Sequence, residues 1–293
     1  MKSQLVHQEF EALGTKWSID LSAPLAVSKE EISSAIQGRI AVFEKNYSRF
    51  RADSIISQIA KKKGTYILPT DAAPMLELYK KLYAVTDGTF TPLIGQVLVD
   101  AGYDADYSLR PKKMTQPPRW EEVLEYKEPV LHMKKAAQLD FGGVGKGYMV
   151  DLVGEILHAY KVDSFTVDAG GDILYFNHQK EPLRVGLEHP GDVKKVLGVA
   201  EIHNESICAS SGNRRKWANF HHIINPHTLR SPTEVIATWV VASKTILADS
   251  LATTLFFTDP KKLQELFRFE FLIIHSDYSF TKSEQFPAEL YTT

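Results

Sequence analysis

Residues 130–160, VLHMKKAAQLDFGGVGKGYMVDLVGEILHAY, hold most of what the chain says about its fold. VLHMK alternates as a strand does, AAQLDF reads as a second strand, GGVGKG as a turn, and the run from about Tyr148 to Tyr160 as a helix. A glycine-rich turn feeding a helix leaves backbone N–H groups free to meet an anion, and phosphate is the natural candidate with Lys146 at the helix start. The two familiar nucleotide motifs do not fit. Asp140, not glycine, stands six residues before Lys146, Gly147 takes the Ser or Thr position of a P-loop, and no G-x-G-x-x-G register exists. The bland alternative is a tight strand-to-helix turn that needs glycine for positive φ.

Working outward, Glu9 to Leu21 has the period-two pattern and turn glycine, Gly14, of a hairpin. Ser28 stands as an N-cap before Glu30 and Glu31, and Ile32, Ile36, Ile40 and Phe43 fall on one face of a helix reaching about Lys45. Asp71 to Val85 reads as a second helix with an acidic cap, stopped by Asp87-Gly88. Residues 104–120, DADYSLRPKKMTQPPRW, lack periodicity and read as a surface excursion. SFTVDAGGDILYF, LRVGLE and VLGVAEIH look like successive short strands. EVIATWVVAS then reads as a strand, TILADSLATTLFF as a helix and FEFLIIHS as a final buried strand. Helices mixed with mostly antiparallel strands predict an α+β class, and the expectation is one domain over residues 1–293 with the excursion at 104–120.

Composition bounds the function. Of 293 residues, 44% are hydrophobic and 24% charged, which is ample for a buried core. A net charge of −2 gives no global attraction to nucleic acid, so an anion site must be local. The one cysteine, Cys208, closes no intrachain disulfide. No transmembrane run, signal-peptide core or lipobox is seen, which gives a cytoplasmic expectation for the sequence as it stands; a removed leader is compatible with it.

Two more segments carry chemistry. Asp249 and Thr253 stand four apart and share a helix face, so a carboxylate and a hydroxyl can reach one hard cation such as Mg²⁺; the bland alternative is a hydrogen-bonded helical pair. SSGNRRKWANFHHIINPHT, residues 210–228, packs Arg214, Arg215, Lys216 and the pair His221-His222 into a short span. Adjacent strand histidines point to opposite faces, so at most one looks into a site. The alternatives are a solvated basic turn and a core histidine with its hydrogen bonds satisfied.

Taken in order, NYSRFRADSIISQI, DGTFTPLIGQVLVDAGYD, LDFGGVGKGYMVD, TVDAGGDI, SGN…HHIINPHT and VVASKTILADSLATTLFF resemble the ApbE family of FAD:protein FMN transferases. The resemblance implies Mg²⁺-dependent transfer of FMN from FAD to a threonine, or sometimes serine, hydroxyl of an acceptor protein, with release of AMP: a post-translational flavinylation that yields a flavoprotein. It puts the metal at Asp249, Thr253 and the backbone carbonyl of Gly145. It puts FAD contacts at Leu13, Ser48, Arg49, Phe50, Asp87, Lys146, Tyr148 and His222, and the Asp168–Asp172 turn in the same cleft. His222 or Asp249 would serve as the base. The rivals are an FAD pyrophosphatase giving FMN and AMP, and an FAD-binding protein without turnover. Gly145 stands where the family commonly has Ala, Asn225 where it has Asp, Leu229 where it has glycine, Arg214 where an aromatic is frequent, and Gly102-Tyr103 departs from a Trp-Gly-Phe-like signal.

Overall fold

The computed structural model describes residues 5–291. Its centre is an eight-stranded, wholly antiparallel sheet with the spatial order Leu5–Ala12, Thr15–Ser22, Ser164–Ala169, Asp172–Asn177, Ser206–Ser211, Val235–Ala242, Glu270–His275 and Phe280–Lys282. The apolar run in Val235–Ala242 follows from burial on both faces. Ala237, Trp239 and Val241 join one core cluster, while Val240 and Ala242 join the other. Phe271 and Ile273 likewise face one way and Leu272 and Ile274 the other.

The larger cluster packs four helices, Lys29–Tyr47, Ala72–Val85, Gly145–Ala159 and Thr245–Thr254, against the sheet. A three-stranded sheet of Leu183–His189, Asp192–Ile202 and Ala288–Leu290 helps to cover the opposite face. A second three-stranded sheet joins Gly64–Ile67, Val130–Met133 and Leu124–Lys127. The α+β class and the antiparallel strands are as expected.

Local chemistry explains most element boundaries. The Ser28 side chain accepts from the Glu31 N–H, and Ile32, Ile36, Ile40 and Phe43 are all buried. The Ala72–Val85 helix begins after Asp71, but Asp71 caps nothing; its carboxylate accepts from Arg39 at 2.6 Å and from the Tyr47 hydroxyl. That helix stops where Asp87 and Gly88 turn left-handed, at φ +52° and +80°. Of the expected excursion 104–120, residues 104–119 have no regular structure while Trp120 is buried and opens the short helix Trp120–Val123; the Thr115 N–H donates to Asp100 and the Gln116 amide to the Pro226 carbonyl, so the excursion is tied to the body.

Three expectations need correction. AAQLDF is not a strand: the Asp140 N–H bonds the Pro92 carbonyl at 2.8 Å, so the segment lies along the turn at Pro92–Ile94 and enters no ladder. The helix that follows starts at Gly145, not Tyr148, because the Phe141 carbonyl already accepts from the Gly145 N–H. FEFLIIHS is not the last strand, since Phe280–Lys282 and Ala288–Leu290 come after it.

Helix Thr245–Thr254 has no side-chain cap from its own flank; Lys244 at its N-cap makes no such bond. Asp151, from helix Gly145–Ala159, supplies it, accepting from the Thr245 N–H at 2.8 Å and the Ile246 N–H at 2.9 Å. Replacing Asp151 with Ala leaves both donors without this acceptor, and the expected cost is about 1–3 kcal/mol in urea unfolding, with a smaller loss in Asp151→Asn. Equal stability of Asp151→Ala and the unsubstituted chain would contradict this role.

Candidate functional site

One cavity of about 720 Å³ opens where the sheet, the glycine turn and the helices meet. Its walls include Leu13, Ser48, Arg49, Phe50, Gly145, Lys146, His222, Asp249 and Thr253, so residues from five distant parts of the sequence converge there. A volume of this order accommodates a dinucleotide-sized ligand. Asp87 and Tyr148 do not line the cavity. Asp87 is exposed on its left-handed turn, where its carbonyl accepts from His227 at 2.9 Å. Tyr148 leaves its helix on the side of Phe43, at 6.4 Å between ring centroids, and Phe43 forms the wall in its place.

The meeting of the glycine turn with helix Thr245–Thr254 depends on missing side chains rather than on unusual backbone. None of Gly142, Gly143, Gly145 or Gly147 has positive φ. A Cβ on Gly147 would instead lie 2.5 Å from the Thr245 carbonyl oxygen and 2.7 Å from the Asp249 Cβ. This closeness lets the Gly147 N–H donate to Asp249 Oδ2 at 2.8 Å. Positive φ is needed elsewhere, at Gly170 and Gly171 (+67° and +100°), in the turn that delivers Asp172. The Asp168 side chain fixes that turn by accepting from the Gly171 N–H at 2.8 Å.

Electrostatics at the floor are unusual. Asp249 is 5% exposed and Asp172 fully buried, and Lys146 Nζ is ion-paired with Asp172 Oδ2. Burial, reinforced by Asp172, pushes the Asp249 carboxyl up to about 8. Burial works against the Lys146 charge, but Asp172 and Asp249 outweigh it and raise its pKa. Thr253 Oγ1 lies 3.2 Å from Ser210 Oγ. Among the described residues no group of three or more His, Cys, Asp or Glu side chains stands ready to hold a metal. One carboxylate, one hydroxyl and a backbone carbonyl nonetheless form an oxygen set of the kind Mg²⁺ accepts while it keeps waters and substrate oxygens. A carboxyl whose charged form is disfavoured by burial fits a position that a cation completes.

The wall above carries the aromatic and basic groups. Arg49 pairs with Asp140 at 2.5 Å, and its guanidinium lies 4.1 Å from the Phe50 ring centroid and 4.9 Å from that of Tyr103. Tyr107, from the excursion, stacks on Phe50 at 5.4 Å. Only one of His221 and His222 faces the cavity, although the strand Phe220–His221 ends before His222. His221 bonds the Pro232 carbonyl at 3.1 Å, and His222 lines the cavity. Burial and the nearby Arg215 push His222 down to about 3, which keeps the imidazole uncharged. Arg49 Nη2, His222 Nδ1 and Asp172 Oδ1 are buried and find no hydrogen-bond partner among the described residues.

Sequence reasoning missed Asp140, Asp151 and Tyr107. Asp140 stands two residues before the first glycine, Gly142, and Asp151 lies four residues after Gly147, a spacing that puts Gly147 and Asp151 on one helix face. In the altered loop, Leu229 takes φ +57°, the conformation a glycine would favour, and its N–H bonds the Asn225 carbonyl at 2.8 Å. The Asn225 side-chain oxygen accepts from the His227 and Thr228 N–H groups, which closes the turn.

The model of the ApbE family matches residues 13–272, so this chain belongs to the ApbE family. A relative from Treponema pallidum (strain Nichols), named FAD:protein FMN transferase, is 25% identical over 283 residues, covering 84% of this chain and 75% of the relative. One of the same name from Rhodobacter capsulatus is 26% identical over 197 residues; that match spans 62% of this chain but 38% of the relative's length. The fold is that of the flavin transferase ApbE from Vibrio cholerae, at TM-score 0.82 and 21% identity over 96% of this chain and 97% of that one. The ApbE protein of Thermotoga maritima matches at TM-score 0.85 and 20% identity, covering 98% of this chain and all of the other. No helix among the described residues is long and apolar enough to cross a membrane.

The two family-turn glycines give opposite expectations. Gly147→Ala forces the helices apart, with an expected destabilisation of about 1–3 kcal/mol by overpacking and weakened FAD binding in a fluorescence titration. A Cβ on Gly145 meets the tip of the Phe43 ring at 3.3 Å and the Phe141 Cβ at an ordinary 3.7 Å, so Gly145→Ala is expected to preserve both properties. Equal effects of the two substitutions would contradict the contact argument.

Proposed function

We propose that this chain transfers FMN from FAD to a threonine or serine hydroxyl of an acceptor protein, releasing AMP, in a reaction that requires Mg²⁺. The observation that carries the reading is the single cavity that joins Gly145 and Lys146 to Asp249 and Thr253 beneath an aromatic and basic wall. Membership of the ApbE family and the printed names of its relatives support the same activity.

In this reading the acceptor oxygen bonds to the phosphorus of the FMN half. The bond from that phosphorus to the bridging oxygen breaks, AMP leaves with that oxygen, and the hydroxyl proton passes to a base. Asp249, Thr253 and the Gly145 carbonyl hold the cation. When bound, it supplies Lewis-acid neutralisation of the diphosphate. Arg49 Nη2, buried without a partner, is available to a diphosphate oxygen. Tyr107, stacked on Phe50 and lining the cavity, offers an aromatic surface to a flat heterocycle. His222 stays uncharged, so its unpartnered Nδ1 can accept either the acceptor proton or a hydrogen bond that orients the reactants. Asp249 is the other candidate for the base.

Intact-mass analysis of an acceptor bearing a target threonine, incubated with the chain, FAD and Mg²⁺, is expected to show one FMN increment per acceptor with equimolar AMP. Asp249→Ala abolishes the increment. His222→Ala lowers turnover by about 10²- to 10⁴-fold while FAD still binds. AMP release without a modified acceptor would identify hydrolysis instead, and FAD retention with no AMP would identify a binding protein.

A further inference from the structure

We propose that Asp172 is a positioning residue of the cation site, and that the opposed charges of Asp172 and Lys146 set how tightly the site holds Mg²⁺. The proposal rests on the cation reading above and goes beyond it, because Asp172 lies outside the Asp249, Thr253 and Gly145 ligand set.

The geometry starts with the turn. The left-handed pair Gly170-Gly171 brings the chain back so that Asp172 opens its strand, directly across the ladder from Cys208. Both residues are fully buried, so the Asp172 carboxylate has no water to face. One oxygen holds Lys146 Nζ. The other, Oδ1, is buried without a partner among the described residues. The Asp172 and Asp249 carboxyl groups neighbour one another, with Lys146 close to both.

Counting charges decides what this arrangement does. With Asp249 ionised, two carboxylates and one ammonium leave a buried net negative charge, which is costly in a poorly solvated site, so the charged form of Asp249 is disfavoured until a cation arrives. With its ammonium held by Asp172, Lys146 acts less as a clamp on the diphosphate than as a counter-charge inside the protein. Toward an ionised Asp249, Asp172 therefore has two effects of one sign. It adds negative potential at the Asp249 side of the site, and it keeps Lys146 from turning its full charge on the cation or pairing with Asp249 in the cation's place. A pair with a merely structural role predicts damage from losing either partner. A pair that tunes the site predicts opposite effects.

The test is calorimetric titration of Mg²⁺ alone into the full chain without FAD, repeated for Asp172→Asn, Lys146→Met and the double variant, with thermal unfolding of each as a folding control. The expected order is a loss of affinity of about tenfold or more in Asp172→Asn, a comparable gain in Lys146→Met, and a return toward the starting affinity in the double variant, which has no buried charge pair to misfold. In the transfer assay, Asp172→Asn should regain turnover at high Mg²⁺, so that the half-saturating Mg²⁺ concentration moves more than kcat. Affinities that fall in both single variants, or that do not change, would overturn the role of Asp172 and leave the cation site standing. No Mg²⁺ binding by the unsubstituted chain would overturn the cation reading itself, and this inference with it.

Discussion

Two helices from distant parts of the sequence cross at a contact four residues wide, and the site exists because of that crossing. Gly147 and Asp151, one turn apart on the first helix, meet Thr245 and Asp249, one turn apart on the second. Gly147 contributes the space and a donor; Asp151 contributes the acceptors that the second helix lacks at its start. The same contact therefore anchors one helix end and orients a buried carboxylate. Any side chain at 147 would separate the two functions, since its Cβ would push first on the Thr245 carbonyl and then on Asp249.

Around that crossing, other parts of the fold bring one group each. The tip of the first hairpin is held over the cavity by Glu44, which accepts from the Leu13 N–H at 3.0 Å. The end of helix Lys29–Tyr47 leads into Ser48, Arg49 and Phe50, and Asp140 fixes the guanidinium from the glycine side. The Gly170-Gly171 turn brings Asp172 to Lys146, behind the cavity wall. These elements are rigid strands, helix ends and tight turns, so the groups they carry are preorganised for a charged ligand before it binds. The polar atoms left without partners at Arg49, His222 and Asp172 are the counterpart of that rigidity.

Much of this was legible in the sequence because local rules decide it. The Ser28 cap and the spacing of Ile32, Ile36, Ile40 and Phe43 describe a helix whose buried face is the one the pattern names. The left-handed stop at Asp87-Gly88 and the strands on either side of Gly170-Gly171 follow from the same kind of local chemistry. What resisted reading is what depends on partners far along the chain. The glycines of GGVGKG look like a request for positive φ, whereas the structure uses Gly147 to admit residues about a hundred positions away. Asp71 looks like a cap and is drawn instead to Arg39 and Tyr47. AAQLDF has the composition of a strand, but its backbone turns to Pro92. The order of the six blocks points to one family; only coordinates bring their side chains into one cavity and leave Asp87 and Tyr148 outside it.

The most direct test of the account is a crystal of this chain soaked in Mn²⁺, an anomalous scatterer that takes the same oxygen ligands as Mg²⁺. The account predicts one strong anomalous peak within coordination distance of an Asp249 carboxylate oxygen, Thr253 Oγ1 and the Gly145 carbonyl. A peak bound elsewhere on the molecule, with that position vacant at saturating Mn²⁺, would contradict it.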